Sequence, residues 1–406
     1  MSQRFLYLDG KECDNEINNL LIALLAYKLI DNLINVFTYY VLGITTSIDS
    51  IIVVLGLAWF IFRAIPSIIR RQSLISVAVL AFFVLAFLIS DTLGVASKYI
   101  QEQWTYFFFS VLSYFFVGLS VRNMDDLQRK MKRICPVMIA SVFAYYMIIL
   151  SVTSSEWQNN MVIAYYALPW FGVSIWMYYE DRNLINCILL AISCVLVVAL
   201  GTRGPMLFVI LMFVVGAFRR DKVIKQLIAM LLLIVATLVF VANFNSIVQW
   251  IYDFLMTKGI QNYGLYKILY ATDISNGRNE INKTVWQAIK EQSILGSGLY
   301  SDFALLGGYT HFLPTALMMH FGVFGAFAFV ILFFIALKRI ICIWKKNDEF
   351  WILLILATAG IGKLFFSGTY LQEPLFFLFY GLIIGLKKAE WAVKRHEDTE
   401  NELYGG

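Results

Sequence analysis

Residues 197–211, VVALGTRGPMLFVIL, set Thr202, Arg203, Gly204 and Pro205 between two apolar runs. An arginine in that setting either faces water or holds an anion, and which of the two applies depends on whether its flanks cross a membrane. Composition answers the second question. Across 406 residues, 60% are hydrophobic, 16% aromatic and only 15% charged, with a mean hydropathy of +0.73. A water-facing surface needs more polar residues than this, so the sequence predicts an integral membrane protein.

The apolar residues fall in runs near 17–42, 47–63, 73–90, 104–120, 134–152, 162–179, 184–201, 205–218, 224–244, 311–337, 350–367 and 372–386. Most are long enough for a helix to cross a hydrocarbon core, giving an all-α polytopic fold of about 12 transmembrane helices. Strands would need shorter, alternating segments, which excludes a barrel. The sequence thus divides into an N-terminal bundle over 1–244, an external loop over 245–310, C-terminal spans over 311–390 and a tail over 391–406.

Lys and Arg collect on alternate segments, in groups such as Arg70–Arg71, Arg129–Arg133, Arg219–Arg220, Lys338–Arg339, Lys345–Lys346 and Lys387–Lys388. The opposite side holds Lys98, Arg203, Lys258, Lys267, Arg278, Lys283 and Lys290, most of them in one long loop that is exempt from the positive-inside bias. Both termini are therefore expected in the cytoplasm. The net charge of +5 reads as a topology signal and gives no reason to expect nucleic acid as a partner. The opening MSQRFLYLDGKECDNE is unlike a cleaved signal peptide, so the first span is expected to be the retained targeting signal. Cys13, Cys135, Cys187, Cys194 and Cys342 have no ligand spacing, which argues against disulfides and metal sites. No internal repeat is visible, which counts against a secondary transporter.

The 245–310 loop carries its own order. NSIVQWIYDFLMTKG (245–259) is aromatic-rich and amphipathic, suited to the headgroup level. NGRNEINKTVWQAIKEQSILGSG (276–298) reads as a helix with Asn276–Gly277 before it, Glu280 in its first turn, Ile281, Val285 and Ile289 on one stripe, and Gly296 and Gly298 at its end. Arg278 falls at the N-terminal edge, where unpaired N–H groups and a planar guanidinium suit a phosphate, diphosphate in particular. A solvated loop arginine is the alternative for Arg278, and an arginine snorkelling to the interface is the alternative for Arg203. Both lie on the face depleted of positive charge.

Of three histidines, His396 lies in the tail, while His311 and His320 flank the start of the tenth span. On one helix they would project from opposite sides, about 13 Å apart along the axis. They cannot then share a metal ion. His311, beside Tyr309 and Thr310, is placed to exchange protons with water; His320 reads as a packed or hydrogen-bonded core residue. A serine-protease reading for His311, with Ser297 or Ser301, lacks a nucleophile elbow.

These stretches, LGTRGPMLFVILMFVVG (200–216), GRNEINKTVWQAIKEQSILGSGLYSDF (277–303) and THFLPTALMMHFGVFGAFAFVILFF (310–334), together resemble the signature region of the O-antigen ligase and Wzy-type polysaccharide polymerase superfamily. The elements of the resemblance are Arg203, Arg278 with Trp286, Gly296 with Gly298, His311, and Gly322 with Gly325. Phe312 stands where family members often carry asparagine. The resemblance implies a GT-C-like, metal-independent glycosyltransferase with no cofactor, joining undecaprenyl-diphosphate-linked glycan donor and acceptor at the outer face of the bacterial cytoplasmic membrane. Arg203 and Arg278 would clamp the leaving diphosphate, and His311 would take the acceptor proton. Membrane lipid would hold the polyprenyl tail, and a chain-length regulator and a flippase would be neighbours.

Within the superfamily, the plain spanning core favours a polymerase making O-antigen, capsule or exopolysaccharide. The alternatives are a ligase transferring glycan to lipid A core or another acceptor, and, in a different class, a lipid or polysaccharide transporter without chemistry. Two in-membrane charges complete the list. Lys28 and Asp31 share a helix face and read as a mutually neutralising pair. Lys363 is either a snorkelling residue or a third cation for the diphosphate, with Glu373 as its available partner.

Overall fold

The computed structural model describes residues 2–43, 48–152, 161–220, 244–259, 266, 269–270, 278–292, 294–344 and 347–387. Among these residues every regular element is helical. In order they are α1 (Ser2–Tyr40), α2 (Ile48–Arg71), α3 (Leu74–Leu93), α4 (Ser97–Tyr106), a π turn (Phe107–Val111), α5 (Ser113–Ser120), α6 (Met124–Val152), α7 (Met161–Glu180), α8 (Leu184–Ala199) and α9 (Arg203–Arg220). There follow α10 (Phe244–Thr257), α11 (Arg278–Glu291), α12 (Ser301–Leu306), α13 (Leu313–Cys342), α14 (Asn347–Leu356), a π turn (Ala357–Ile361), two 3-10 turns (Gly362–Phe365 and Tyr370–Gln372) and α15 (Pro374–Lys387).

Helices within Gly10–Tyr40, Ile51–Arg71, Leu74–Leu93, Met124–Ile149, Met161–Glu180 and Leu313–Cys342 are long and apolar enough to cross a membrane. The chain is an α-helical membrane protein. Helices α2 and α3 present outward Ile52, Leu55, Leu74 and Leu85, all more than half exposed, as lipid-facing surface requires. The expected ninth run, 224–244, lies outside the described residues except for its last position, as do Asn276, Gly277, His396 and the 391–406 tail.

Local chemistry sets the helix ends. Ser76 Oγ accepts from the Ser73 N–H at 3.2 Å where α3 begins, and Gly94, at φ 74°, ends it in the left-handed region. Asn123 Oδ1 accepts from the Asp126 N–H at 3.0 Å ahead of α6, and Asn183 Oδ1 from the Asn186 N–H at 2.8 Å ahead of α8.

The chain divides into two compact units, one of 1–21, 60–127 and 277–406, the other of 22–59 and 128–276. In the second unit α7 is largely buried, with Trp170, Phe171 and Trp176 wholly covered, and it packs on α8 and α9. Ser174 and Ser193 join α7 to α8 by a 3.0 Å hydrogen bond. In the first unit α5 and α15 meet almost backbone to backbone. A β-carbon on Gly118 would stand 2.8 Å from Leu382 N, and one on Gly385 would stand 2.7 Å from Leu119 O. The close approach follows from the small residues Gly381 and Gly385, one turn apart on α15.

Candidate functional site

The GTRGP stretch lies in the second unit. Helix α8 stops at Ala199, Gly201 turns the chain at φ 67°, and α9 begins at Arg203. Gly204 serves packing more than turning, because a β-carbon there would collide with the Tyr165 hydroxyl of α7. Arg203 itself is exposed, at the first position of its helix.

Lys28 and Asp31 also lie in the second unit, whereas Arg278, Trp286, His311, Lys363 and Glu373 lie in the first. Arg278 opens α11, with Glu280 in its first turn and Lys290 in its last, a charge order that suits the helix dipole. Val285, on the apolar stripe, is wholly buried where α11 packs on α13. Trp286, about two turns along from Arg278, is 43% exposed. The helix stops at Glu291, before the glycines expected to end it.

Those glycines do something else. Gly296 and Gly298 adopt φ 86° and 88° and bring residues 294–298 against α13 where that helix is broken. At Gly322 the backbone turns to φ 59° and ψ −136°, a conformation open to glycine and strained for other residues. The break frees the carbonyls of Met318, Met319 and His320 from their own helix, and the neighbouring segment takes them over. Gln292 Nε2 donates to Met318 O at 2.7 Å, Ser297 N–H to Met319 O at 2.8 Å and Gly298 N–H to His320 O at 3.1 Å; in return Val323 N–H donates to Ile294 O at 3.0 Å. Each of these orphaned groups finds a partner. The G-x-G and G-x-x-G elements of the resemblance are thus the two halves of one joint.

The break corrects the expected geometry of the histidines. Helix α13 starts at Leu313, with Pro314 in its first turn and Phe312 extended before it. His311 precedes the helix and holds the left-handed conformation, φ 60°, so the continuous-helix separation from His320 does not apply. Its ring packs edge-on against Tyr309 at 4.3 Å between centroids, and its Nδ1 is buried without a hydrogen-bond partner. Burial, and then the charge of Arg278, hold the imidazole pKa below its ordinary value. Arg278 and His311 therefore share one electrostatic neighbourhood.

His320 is the buried, hydrogen-bonded histidine that the sequence suggested. Its partners, Asp302 at 2.9 Å and Tyr370 at 2.9 Å, went unrecognised in the sequence. Lys363, in the Gly362–Phe365 turn, forms an ion pair with Glu373, whose side chain is only 6% exposed. The ring of Phe365 in that turn lies 5.7 Å from that of Phe312, which sets the Lys363 turn beside the residue following His311. No protein-family model, curated protein or solved structure matches the chain.

Proposed function

We propose that the chain polymerises undecaprenyl-diphosphate-linked oligosaccharide repeat units for O-antigen, capsule or exopolysaccharide. In this reading it is a GT-C-like enzyme of about 12 spans, set in the bacterial cytoplasmic membrane with both termini cytoplasmic and its site on the outer face. The observation that carries the reading is the pairing of Arg278 with His311. The family resemblance assigns one residue to the diphosphate and the other to the acceptor proton, and burial, then the charge of Arg278, lower the His311 imidazole pKa.

The chemistry follows from that pairing. The acceptor sugar hydroxyl passes its proton to a neutral His311 ring as its oxygen bonds to the anomeric carbon of the donor glycan. The bond from that carbon to the diphosphate breaks, and its electron pair leaves with undecaprenyl diphosphate. A fixed cation stabilises the growing negative charge without reorganisation at the moment of reaction. Arg278 fills that role in the first unit; for Arg203 the same role is what the family resemblance implies.

Purified protein supplied with a single lipid-linked repeat unit tests the reading. A ladder of products supports the polymerase. Transfer only on addition of a second acceptor would replace it with a ligase, and unchanged substrate would replace it with a transporter.

A further inference from the structure

Among the described residues of the first unit, His320 and its two partners form an enclosed polar cluster. The side chains of His320 and Asp302 are both 0% exposed, and Tyr370 is also buried. A carboxylate only accepts hydrogen bonds, so the 2.9 Å contact from Asp302 Oδ1 assigns the ring proton to His320 Nε2. Nδ1 shares a hydrogen bond with the Tyr370 hydroxyl, also at 2.9 Å, so both ring nitrogens have a partner. Burial, reinforced by Asp302 and Tyr300, holds the Tyr370 pKa well above its ordinary value, so the phenol keeps its proton.

Asp302 has acceptor capacity left, and it faces the main chain. Phe303 N–H approaches its Oδ1 at 3.1 Å, and Thr310 N–H approaches its Oδ2 at 3.3 Å. One carboxylate therefore ties together the start of α12, the chain just before α13, α13 itself and, through His320, the turn at Tyr370. Burying a carboxylate is costly, and such groups are weak evidence for stability as an end in itself. What this one secures is the residue next to Thr310. His311 sits at φ 60°, and a side-chain-bearing residue keeps that conformation only where its surroundings hold it.

We infer that Asp302, seated by His320 and Tyr370, is a positioning residue for His311: by holding the Thr310 main chain it keeps His311 in its left-handed turn beside Arg278. The consequence for turnover rests on the polymerase reading. The consequence for the His311 ring does not, and this separates the two in experiment.

The test uses full-length protein in lipid nanodiscs with nitrogen-15-labelled histidine rings. The chain has three histidines, and His311→Gln identifies the His311 signal. The variants are Asp302→Asn and the milder Tyr370→Phe, which removes one buried oxygen and decides the matter if Asp302→Asn does not fold. In wild-type protein His311 should titrate below 6.5, and in both variants it should move back toward that value, further in Asp302→Asn. With a lipid-linked repeat unit, kcat should fall about 10- to 100-fold, the cost of a small misplacement, at unchanged KM. If the variants melt earlier but leave the His311 titration and the kcat per folded molecule unchanged, Asp302 is merely structural and the inference is overturned. If the His311 signal shifts while wild-type protein makes no ladder, the positioning role stands and the polymerase reading falls.

Discussion

Gly296 and Gly322 meet main chain to main chain: a β-carbon on Gly296 would stand 2.5 Å from the Gly322 nitrogen. A methyl group at Gly322 would itself collide with the Ile294 carbonyl and would force alanine into a strained backbone. Gly322→Ala should therefore lower the melting temperature in detergent, with backbone strain alone costing about 1–3 kcal/mol. Gly308→Ala has open space around it and should melt within about 0.5 kcal/mol of wild type. Equal melting of the two variants would mean that the joint is not as described.

The clamp and the base should fail differently. Arg203→Ala and Arg278→Ala are expected to lose both binding of the lipid-linked donor and turnover, because a charge-assisted contact to phosphate acts in the bound state and more strongly in the transition state. Lysine should rescue only in part, keeping charge without the planar fork. His311→Gln should bind donor normally while turnover drops about 10²–10⁴-fold. Donor affinity by vesicle co-sedimentation, measured alongside ladder formation, distinguishes these outcomes. Wild-type turnover should persist in EDTA.

The pH dependence has a definite sign. In the proposed reaction the neutral imidazole is the base, and burial, then Arg278, keep the His311 pKa below its ordinary 6.5. Activity should be level at neutral pH and should fall only as the pH drops through the lowered value. Removing the neighbouring cation in Arg278→Gln lifts the pKa, so the acid limb of the residual activity should move to higher pH. Rate profiles between about pH 5 and 8 span this range. An acid limb that stays in place in Arg278→Gln would separate the two residues.

A double substitution pulls apart the ion pair of Lys363 with Glu373 and the role proposed for it at the diphosphate. Lys363→Gln leaves Glu373 buried without its cation and should destabilise the protein by roughly 3–5 kcal/mol. Glu373→Gln added to it should restore most of the melting temperature. If Lys363 also serves as a third cation for the diphosphate, the double variant should still bind lipid-linked donor more weakly than wild type. Full recovery of affinity would make it a structural ion pair alone.

Six of the expected apolar runs fall on helices long and apolar enough to cross a membrane, because such a helix depends on little beyond length and hydropathy; residues 73–90 and 162–179 fall on α3 and α7 within a few positions. The break in α13 was invisible to that criterion. Hydropathy is blind to backbone angle, and Gly322 sits in an unbroken apolar stretch whose freed carbonyls are satisfied by Gln292, Ser297 and Gly298. Arg278 stood out by its place at a helix start on the face depleted of positive charge, and His311 by its place at the mouth of a span. Asp302 did not, although GLYSDF places an acid shortly before a membrane-buried histidine in need of a partner. Its role depends on three segments meeting, and no spacing along one of them encodes that. Tyr370 was missed for the same reason.

The exchanged hydrogen bonds at the α13 break also bear on how the protein is made. Gln292, Ser297 and Gly298, the donors, leave the ribosome before Met318, Met319 and His320, the acceptors. When the interrupted helix emerges, its capping segment has already been synthesised, and the exposed carbonyls need not wait in an apolar medium for a distant partner. An order reversed along the chain would leave a bent helix unsatisfied during insertion, at a cost of several kcal/mol for each bare group.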